Sequence, residues 1–302
     1  MKRRDFLSGS VAAGVVAATV SMSNEASAAS KPGKFKLKYA PKITAFKGLA
    51  GSSDAIDNIK FCADQGFRAV FDNGLGRRPV AEQEAIANEL AGLGMDLGPF
   101  VASGVPDFSS TDQEVREAIK KSMEDAIETA DRTGAKWVLL VPGGINLKME
   151  PAYQTANVIE NCRYCCEVLE KSGLVMVLEP LNWWTNHPGR FLRNIPQAYL
   201  ICEGVNHPCC KIVNDLYHQQ ISEGNLIPNI DKAWKNIAAF NAWDNPGRKE
   251  PGTGEINYKN VFSHVQAKGF DGVLCMEHGQ SIAGPEGEQA VIDAYRAADS
   301  FE

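Results

Sequence analysis

Short runs of β-forming residues alternate with amphipathic helical stretches along almost the whole 302-residue chain, and this alternation is the strongest constraint on its fold. The predicted strands span residues 37–45, 69–72, 95–102, 137–141, 174–179, 211–215, 237–243 and 272–277. The predicted helices span residues 54–65, 79–93, 111–133, 151–172, 194–202, 226–236, 258–268 and 288–299. Alternation of this kind predicts βαβ units and a parallel sheet.

The eight units form one uninterrupted series. Glycines such as Gly94 and Gly134 stand directly after the last periodic residue of a helix, where a left-handed residue commonly ends it. Neither a composition shift nor a linker divides residues 37–302, and a single α/β barrel takes roughly 250 residues. The sequence therefore predicts an α/β fold in which residues 37–302 form a single (β/α)8 TIM barrel.

The N-terminal segment has the pattern of an export signal. Lys2, Arg3 and Arg4 precede a short apolar run at residues 11–20, and the run is followed by the small residues 26–28. This pattern predicts a cleaved twin-arginine signal peptide over residues 1–28, a linker over 29–36 and a periplasmic or otherwise extracytoplasmic protein. The apolar run is shorter than the roughly 20 residues that span a bilayer, so no stable membrane anchor is expected.

Charge narrows the choice of partners. Without residues 1–28 the chain holds 28 basic and 35 acidic residues, a net charge of −7. Nucleic acid is not an expected partner, because phosphate binding needs a basic footprint. The eight cysteines are scattered or clustered within helical patterns, so we expect buried free thiols rather than a disulfide framework. A homo-oligomer is left open.

Oxygen-bearing side chains end the late predicted strands. In a TIM barrel the strand ends meet at one mouth, where the active site lies. Three carboxylates there would repel one another without a compensating cation, and all-oxygen ligation suits Mg²⁺ or Mn²⁺. The alternative is that each carboxylate caps a helix or pairs with an arginine. The predicted ligands of a divalent metal ion are Glu179, Asp215, Asn241 and Glu277.

Glu179 and Glu277 are also the candidate catalytic bases. They come from the fifth and eighth predicted strands, so they approach the mouth from different sides. Two such carboxylates suit the removal of a proton from one carbon and the return of a proton to its neighbour through an enediolate. This chemistry predicts an isomerase acting on a small hydroxy-carbonyl or sugar substrate.

Four further residues are candidate substrate contacts. His218 follows Asp215 by three residues and could donate to a substrate oxygen. Arg248 lies in a long loop, 244–258, from which its planar guanidinium could bind a carboxylate at two points. His187 and His278 are candidate secondary contacts. The alternatives are structural histidines and a solvated loop arginine.

Three motifs resemble those of hydroxypyruvate isomerases, which belong to the xylose isomerase-like TIM barrels. They are residues 178–182 (LEPLN), 214–218 (NDLYH) and 245–258 (NPGRKEPGTGEINY). The resemblance implies that Glu179 and Glu277 transfer protons, Asp215 binds the metal, and His218 and Arg248 contact the substrate. It implies conversion of hydroxypyruvate to tartronate semialdehyde.

The sequence departs from this pattern at the predicted metal site. Asn241 stands where relatives carry Gln or His, and His278 replaces a Tyr. Two alternatives remain open: a metal-dependent ketose 3-epimerase with the same carboxylates, and an exported sugar-binding relative without catalysis. Endonuclease IV, also in this superfamily, is disfavoured by five histidines and a net negative charge.

Overall fold

A computed structural model describes residues 32–302, and the predicted export signal lies outside them, so the signal stays a prediction. Within these residues the strands are β1 Lys38–Pro41, β2 Ala69–Val70, β3 Asp96–Leu97, β4 Phe100–Val101, β5 Trp137–Leu140, β6 Val175–Leu178, β7 Cys210–Asp215, β8 Ile237–Asn241 and β9 Val273–Met276. The α-helices are α1 Ala55–Asp64, α2 Val80–Leu93, α3 Gln113–Thr133, α4 Pro151–Leu169, α5 Ile195–Val205, α6 Leu216–Ser222, α7 Leu226–Ala233, α8 Tyr258–Ala267 and α9 Gly284–Ala298.

The strands are parallel and curl into a TIM-barrel-like α/β fold. Seven strands pair in the order β1-β9-β8-β7-β6-β5-β4, and β2 pairs with β3. A parallel bridge between Lys42 and Phe71 links the end of β1 to the end of β2. Because neighbours in this order are parallel, their carboxyl ends lie along the same edge, as the βαβ alternation predicts.

The third predicted strand, 95–102, is broken into β3 and β4. Pro99 lies in the break and has no N–H to donate to a neighbouring strand. At Gly98 an added Cβ would lie 2.8 Å from the Cβ of Phe71, so the backbone passes too close for a side chain. The break therefore follows from local covalent structure, and the segment still follows the predicted path.

Most predicted helices are present with shifted ends. The predicted helix 194–202 is α5, which begins after Asn194 because the Asn194 side chain accepts from the backbone N–H of Gln197. The predicted helix 226–236 ends as a 3₁₀ turn, Trp234–Asn236. Helix α6 was not predicted; it starts directly after β7, and the carboxylate of Asp215 caps it by accepting from the N–H of His218.

The prediction of buried free thiols agrees with the structure. All eight cysteines fall within the described residues, and each is buried and free. None of the helices in the described part of the chain combines the length and apolarity needed to cross a membrane.

Candidate active site

The alternation of side chains along each strand explains why polar side chains converge inside the mouth of the barrel. A buried cluster fills the inner side of the strands and includes Val177, Val213, Ala239 and Cys275. Side chains alternate between the two faces of a strand, so a residue two positions further on points inward again. At the carboxyl ends these inward positions are Glu179, Asp215, Asn241 and Glu277, together with Lys42 and Asn73 from the first two strands.

Asn241 lies between the two predicted bases. Its amide nitrogen donates to Oε1 of Glu179 over 2.8 Å and lies 3.4 Å from Oε2 of Glu277. The other oxygen of Glu277 accepts from the amide of Asn73 at 2.7 Å. The structure therefore brings Glu179, which directly follows β6, and Glu277, which directly follows β9, to the same amide nitrogen.

Asp215 has one oxygen engaged and one free. Its Oδ1 accepts from the His218 N–H at 2.8 Å and from the Trp243 indole N–H at 2.7 Å. Its Oδ2 is buried with no hydrogen-bond partner among the described residues. Buried polar atoms are normally satisfied, so an unpaired carboxylate oxygen marks a place for a cation or a donor. Ligand atoms of Glu179, Asp215 and His218 lie within 4.8 Å of one another, a spacing that a metal ion could bridge.

The ring of His218 is oriented by Asn182. The Asn182 side-chain oxygen accepts from the backbone N–H groups of Thr185 and Asn186, both at 3.1 Å, so its amide nitrogen is the group facing His218. This nitrogen lies 2.6 Å from Nδ1 of His218, which must accept. A neutral His218 therefore carries its proton on Nε2, which lies 3.9 Å from Oδ2 of Asp215.

Burial and like charges control protonation at this centre. Burial, followed by the Glu277 and Asp215 charges, holds the pKa of Glu179 well above its usual range. Burial also raises the pKa of Asp215 and of Glu277 to about 7 each. Burial, followed by the positive charge of Arg248, lowers the pKa of His218 to about 3. The histidine is thus neutral near neutral pH.

Arg248 approaches the centre from the long loop after β8. Its guanidinium lies 3.9 Å from the centre of the Trp243 ring, which fixes it by a cation–π contact. Its charge lowers the pKa of Glu179, Asp215 and Glu277 against the effect of burial. The structure thus places Arg248 beside the three carboxylates, where the sequence predicted a substrate contact.

A single buried aspartate organises this loop. Both carboxylate oxygens of Asp244 accept backbone N–H groups at 2.8–3.0 Å. The donors are Asn245, Gly252, Gly254 and Ile256. At Gly254 any Cβ would overlap the carbonyl oxygen of Asn245, so glycine is required there. The loop that carries Arg248 is therefore held in one conformation.

His187 and His278, the two candidate secondary contacts, differ in the surroundings of their rings. The His187 ring lies 5.2 Å from the His218 ring, and burial lowers its pKa to about 4. The His278 ring has Nδ1 at 2.7 Å from the Gly279 carbonyl oxygen and Nε2 at 3.1 Å from the Tyr295 hydroxyl. His187 thus lies beside the centre, whereas both nitrogens of His278 already face protein oxygens.

A cavity of about 400 Å³ opens beside Glu277. Its walls include apolar side chains such as Phe46 and Phe71, and its polar lining includes Lys42, Asn73 and Arg77. This volume falls within the range of roughly 300–1,000 Å³ that small-molecule sites usually have. The proposed proton-transfer residue therefore borders a space that a substrate can enter.

Sequence reasoning missed the residues that hold this site together. Asn182 stands in the LEPLN motif, but nothing in the sequence pairs it with His218, which is 36 residues away. Trp243 and Asp244 lay at the end of a predicted strand and the start of a loop. The side chains whose ligand atoms lie within 4.8 Å of one another are those of Glu179, Asp215 and His218, and only the first two are among the predicted metal ligands. The predicted ligand set therefore stays a prediction.

Fold and site together define a TIM-barrel-like α/β protein with an acidic centre at the carboxyl ends of its strands. The sequence model of the xylose isomerase-like TIM barrel family matches residues 59–298, and the chain belongs to that family. The chain is 30% identical over 240 residues to the hydroxypyruvate isomerase of Escherichia coli (strain K12), covering 76% of this chain and 90% of that protein. It is 28% identical over 153 residues to the 2-oxo-tetronate isomerase of Cupriavidus necator, covering 51% of this chain and 58% of that protein. The resemblance to a hydroxypyruvate isomerase-like enzyme is confirmed.

Solved structures show the same fold in other enzymes. An AP endonuclease of family 2 from Brucella melitensis superposes with a TM-score of 0.72 at 22% identity, covering 83% of this chain and 96% of that one. The 3-keto-D-glucoside 4-epimerase YcjR from E. coli superposes with a TM-score of 0.71 at 18% identity, covering 88% of this chain and all of that one. At these identities the likeness concerns the fold alone.

Proposed function

We propose that this protein is an isomerase of the aldose–ketose type that interconverts hydroxypyruvate and tartronate semialdehyde through an enediolate. The observation that carries the proposal is the placement of Glu179 and Glu277 around the single amide nitrogen of Asn241. The similarity to hydroxypyruvate isomerase along most of both chains supports the choice of reaction.

In this mechanism the two carboxylates handle the carbon-bound protons. One removes a proton from C3 of hydroxypyruvate, and the other delivers a proton to C2, while the hydroxyl proton moves between the oxygens. The pKa of Glu277, raised to about 7, suits a base near neutral pH. His218 donates a hydrogen bond from its Nε2–H to the substrate oxygen on which negative charge develops.

The donor set fits a divalent metal ion such as Mg²⁺ or Mn²⁺. The unpaired buried Oδ2 of Asp215 and the neighbouring carboxylate of Glu179 are the groups best suited to hold it. When bound, the ion stabilises negative charge on the substrate oxygens. His218 lies near enough to Glu179 and Asp215 to share a metal ion with them. Its Nδ1 accepts from Asn182, however, so its Nε2 is protonated, and we assign His218 to hydrogen bonding with the substrate.

A ketose 3-epimerase is the second candidate function. The cavity of about 400 Å³ beside Glu277 favours this candidate, because the cavity is larger than a three-carbon substrate needs.

A substitution of Arg248 distinguishes the two candidate functions. Lysine keeps the charge but loses the planar fork and the stacking on Trp243. We expect R248K to lose about 1–3 kcal/mol of transition-state stabilisation on hydroxypyruvate, which is measured as a lower kcat/KM.

The matched measurement is kcat/KM of R248K on a neutral ketose, which carries no carboxylate for Arg248 to bind. A clearly smaller loss on the ketose supports the isomerase. Equal small losses on both substrates would show that Arg248 binds no carboxylate and would favour the epimerase.

A further inference from the structure

The cavity beside Glu277 has an unusual charge distribution for an acidic protein. Two of its lining residues, Lys42 and Arg77, are cations with exposed side chains. Neither forms an ion pair within residues 32–302. The acidic residues of the same cavity are Glu277 and Asp72, and Asp72 is neutralised by the guanidinium of Arg78. Lys42 and Arg77 therefore remain available to a ligand.

The strand geometry directs Lys42 toward the mouth of the barrel. Ala40 belongs to the cluster inside the strands, so Lys42, two residues further on, points inward at the end of β1. Its neighbour β9 ends at Met276, directly before Glu277, and the Lys42 ammonium lies close enough to act on the Glu277 charge. One cation therefore lies beside the carboxylate that transfers the proton.

The wall that carries Lys42 is fixed by hydrogen bonds. The backbone N–H of Ile43 donates to the carbonyl of Phe71 at 3.1 Å. The buried carboxylate of Glu288 in α9 accepts from the N–H groups of Gly48 and Leu49 at 3.0 and 2.7 Å. The cavity is thus a formed feature of the fold, with apolar side chains on one side and the cations at its rim.

We propose that this cavity is an anion subsite, in which Lys42 and Arg77 bind a carboxylate or phosphate group carried by the substrate beyond its reacting carbons. The inference rests on the proposed function, because Glu277 must face the reacting carbons for the far end to reach the cavity. An overall charge of −6 repels anions, so these two local cations provide the attraction that an anionic substrate needs. Such a subsite would let the same centre act on a sugar acid or sugar phosphate longer than three carbons in addition to hydroxypyruvate.

Anion binding to the full chain tests the proposal without turnover. Inorganic phosphate and malonate are titrated by calorimetry into the wild type, the double variant K42M/R77M and the control K47M. Lys47 is exposed on the same segment but does not line the cavity. We expect the double variant to bind phosphate, malonate or both about tenfold more weakly or worse, and K47M to bind as the wild type does.

The pattern of loss identifies the ligand group. Weakened phosphate binding alone indicates a sugar phosphate, and weakened malonate binding alone indicates a sugar acid. Wild-type affinity of K42M/R77M for both probes, or no binding of either probe to the wild type, would overturn the subsite. Both substituted side chains are exposed, so an unchanged melting temperature checks the fold. A lack of isomerase activity on every hydroxy-carbonyl substrate would instead overturn the proposed function and leave this binding result standing.

Discussion

At the scale of single residues, the chemistry of this site depends on which ring nitrogen of His218 carries the proton. Asn182 determines this, because two backbone N–H groups hold its oxygen and turn its amide nitrogen toward Nδ1. His218 is buried and its pKa is lowered to about 3, so the neutral ring is the functional form. In the proposed mechanism Asn182 is therefore a positioning residue that acts on the substrate through His218.

Replacing Asn182 by Asp tests this role with almost no change of shape. The carboxylate can still accept the backbone N–H groups of Thr185 and Asn186, but it cannot donate to His218. We expect the His218 proton to move to Nδ1 and kcat to fall about tenfold or more, with KM changed less. Nitrogen-15 NMR of the imidazole reports the tautomer directly. An Nε2–H ring in N182D with unchanged kcat would contradict the assignment.

Site residues that follow from the position at which a strand ends could be predicted from the sequence. Site residues that depend on tertiary contacts could not. Glu179, Asp215 and Glu277 each end an apolar run, which makes them visible in the sequence. Lys42 was hidden because the predicted first strand ran to residue 45, whereas β1 ends at Pro41. Asn182 was invisible as a partner of His218, since their contact is created by the packing of two different strand ends.

At the scale of elements, the loop that carries Arg248 depends on Asp244. Four backbone N–H groups converge on its buried carboxylate. D244A would leave these donors unpaired in a buried environment, so we expect the free energy of unfolding to fall by at least about 3 kcal/mol. We also expect kcat/KM to fall, because Arg248 loses its fixed position.

Denaturant unfolding and steady-state kinetics check this prediction. The matched control is D271A, since the Asp271 side chain is 90% exposed and within residues 32–302 forms an ion pair only with Lys38. D271A should differ from the wild type by less than about 1 kcal/mol. A D244A variant as stable as D271A would show that the loop is held by other contacts.

Element boundaries show where local sequence signals are sufficient and where they are not. The βαβ order and most helix ends were predictable, because apolar periodicity and capping residues are local features. The break between β3 and β4 was not, although Pro99 was visible, because its effect depends on the close approach of Phe71 to Gly98. Helix α6 was missed because it follows β7 with no intervening loop.

At the scale of the whole molecule, metal binding should couple to stability. An ion held by buried carboxylates binds the folded chain, so excess ion stabilises it by about 2.7 kcal/mol at a hundred times the dissociation constant. We expect chelator-treated protein to gain melting temperature on addition of Mg²⁺ or Mn²⁺. D215N should lose this gain relative to its own metal-free melting temperature, whereas E84Q, altered at an exposed carboxylate, should keep it.

Calorimetry and activity complete the metal test. If Mg²⁺, Mn²⁺ and Co²⁺ all fail to bind and chelator leaves activity unchanged, the unpaired oxygen of Asp215 has no metal role. The carboxylates would then act on the substrate without an ion.

Turnover of hydroxypyruvate in deuterium oxide shows whether two different carboxylates transfer the carbon-bound proton. Two separate bases exchange with solvent, so the wild type should place deuterium on C2 of the product. E179Q and E277Q should each lower turnover by roughly a hundredfold or more while keeping a folded protein. Product that retains the substrate hydrogen, or near-wild-type turnover in both variants, would contradict the account.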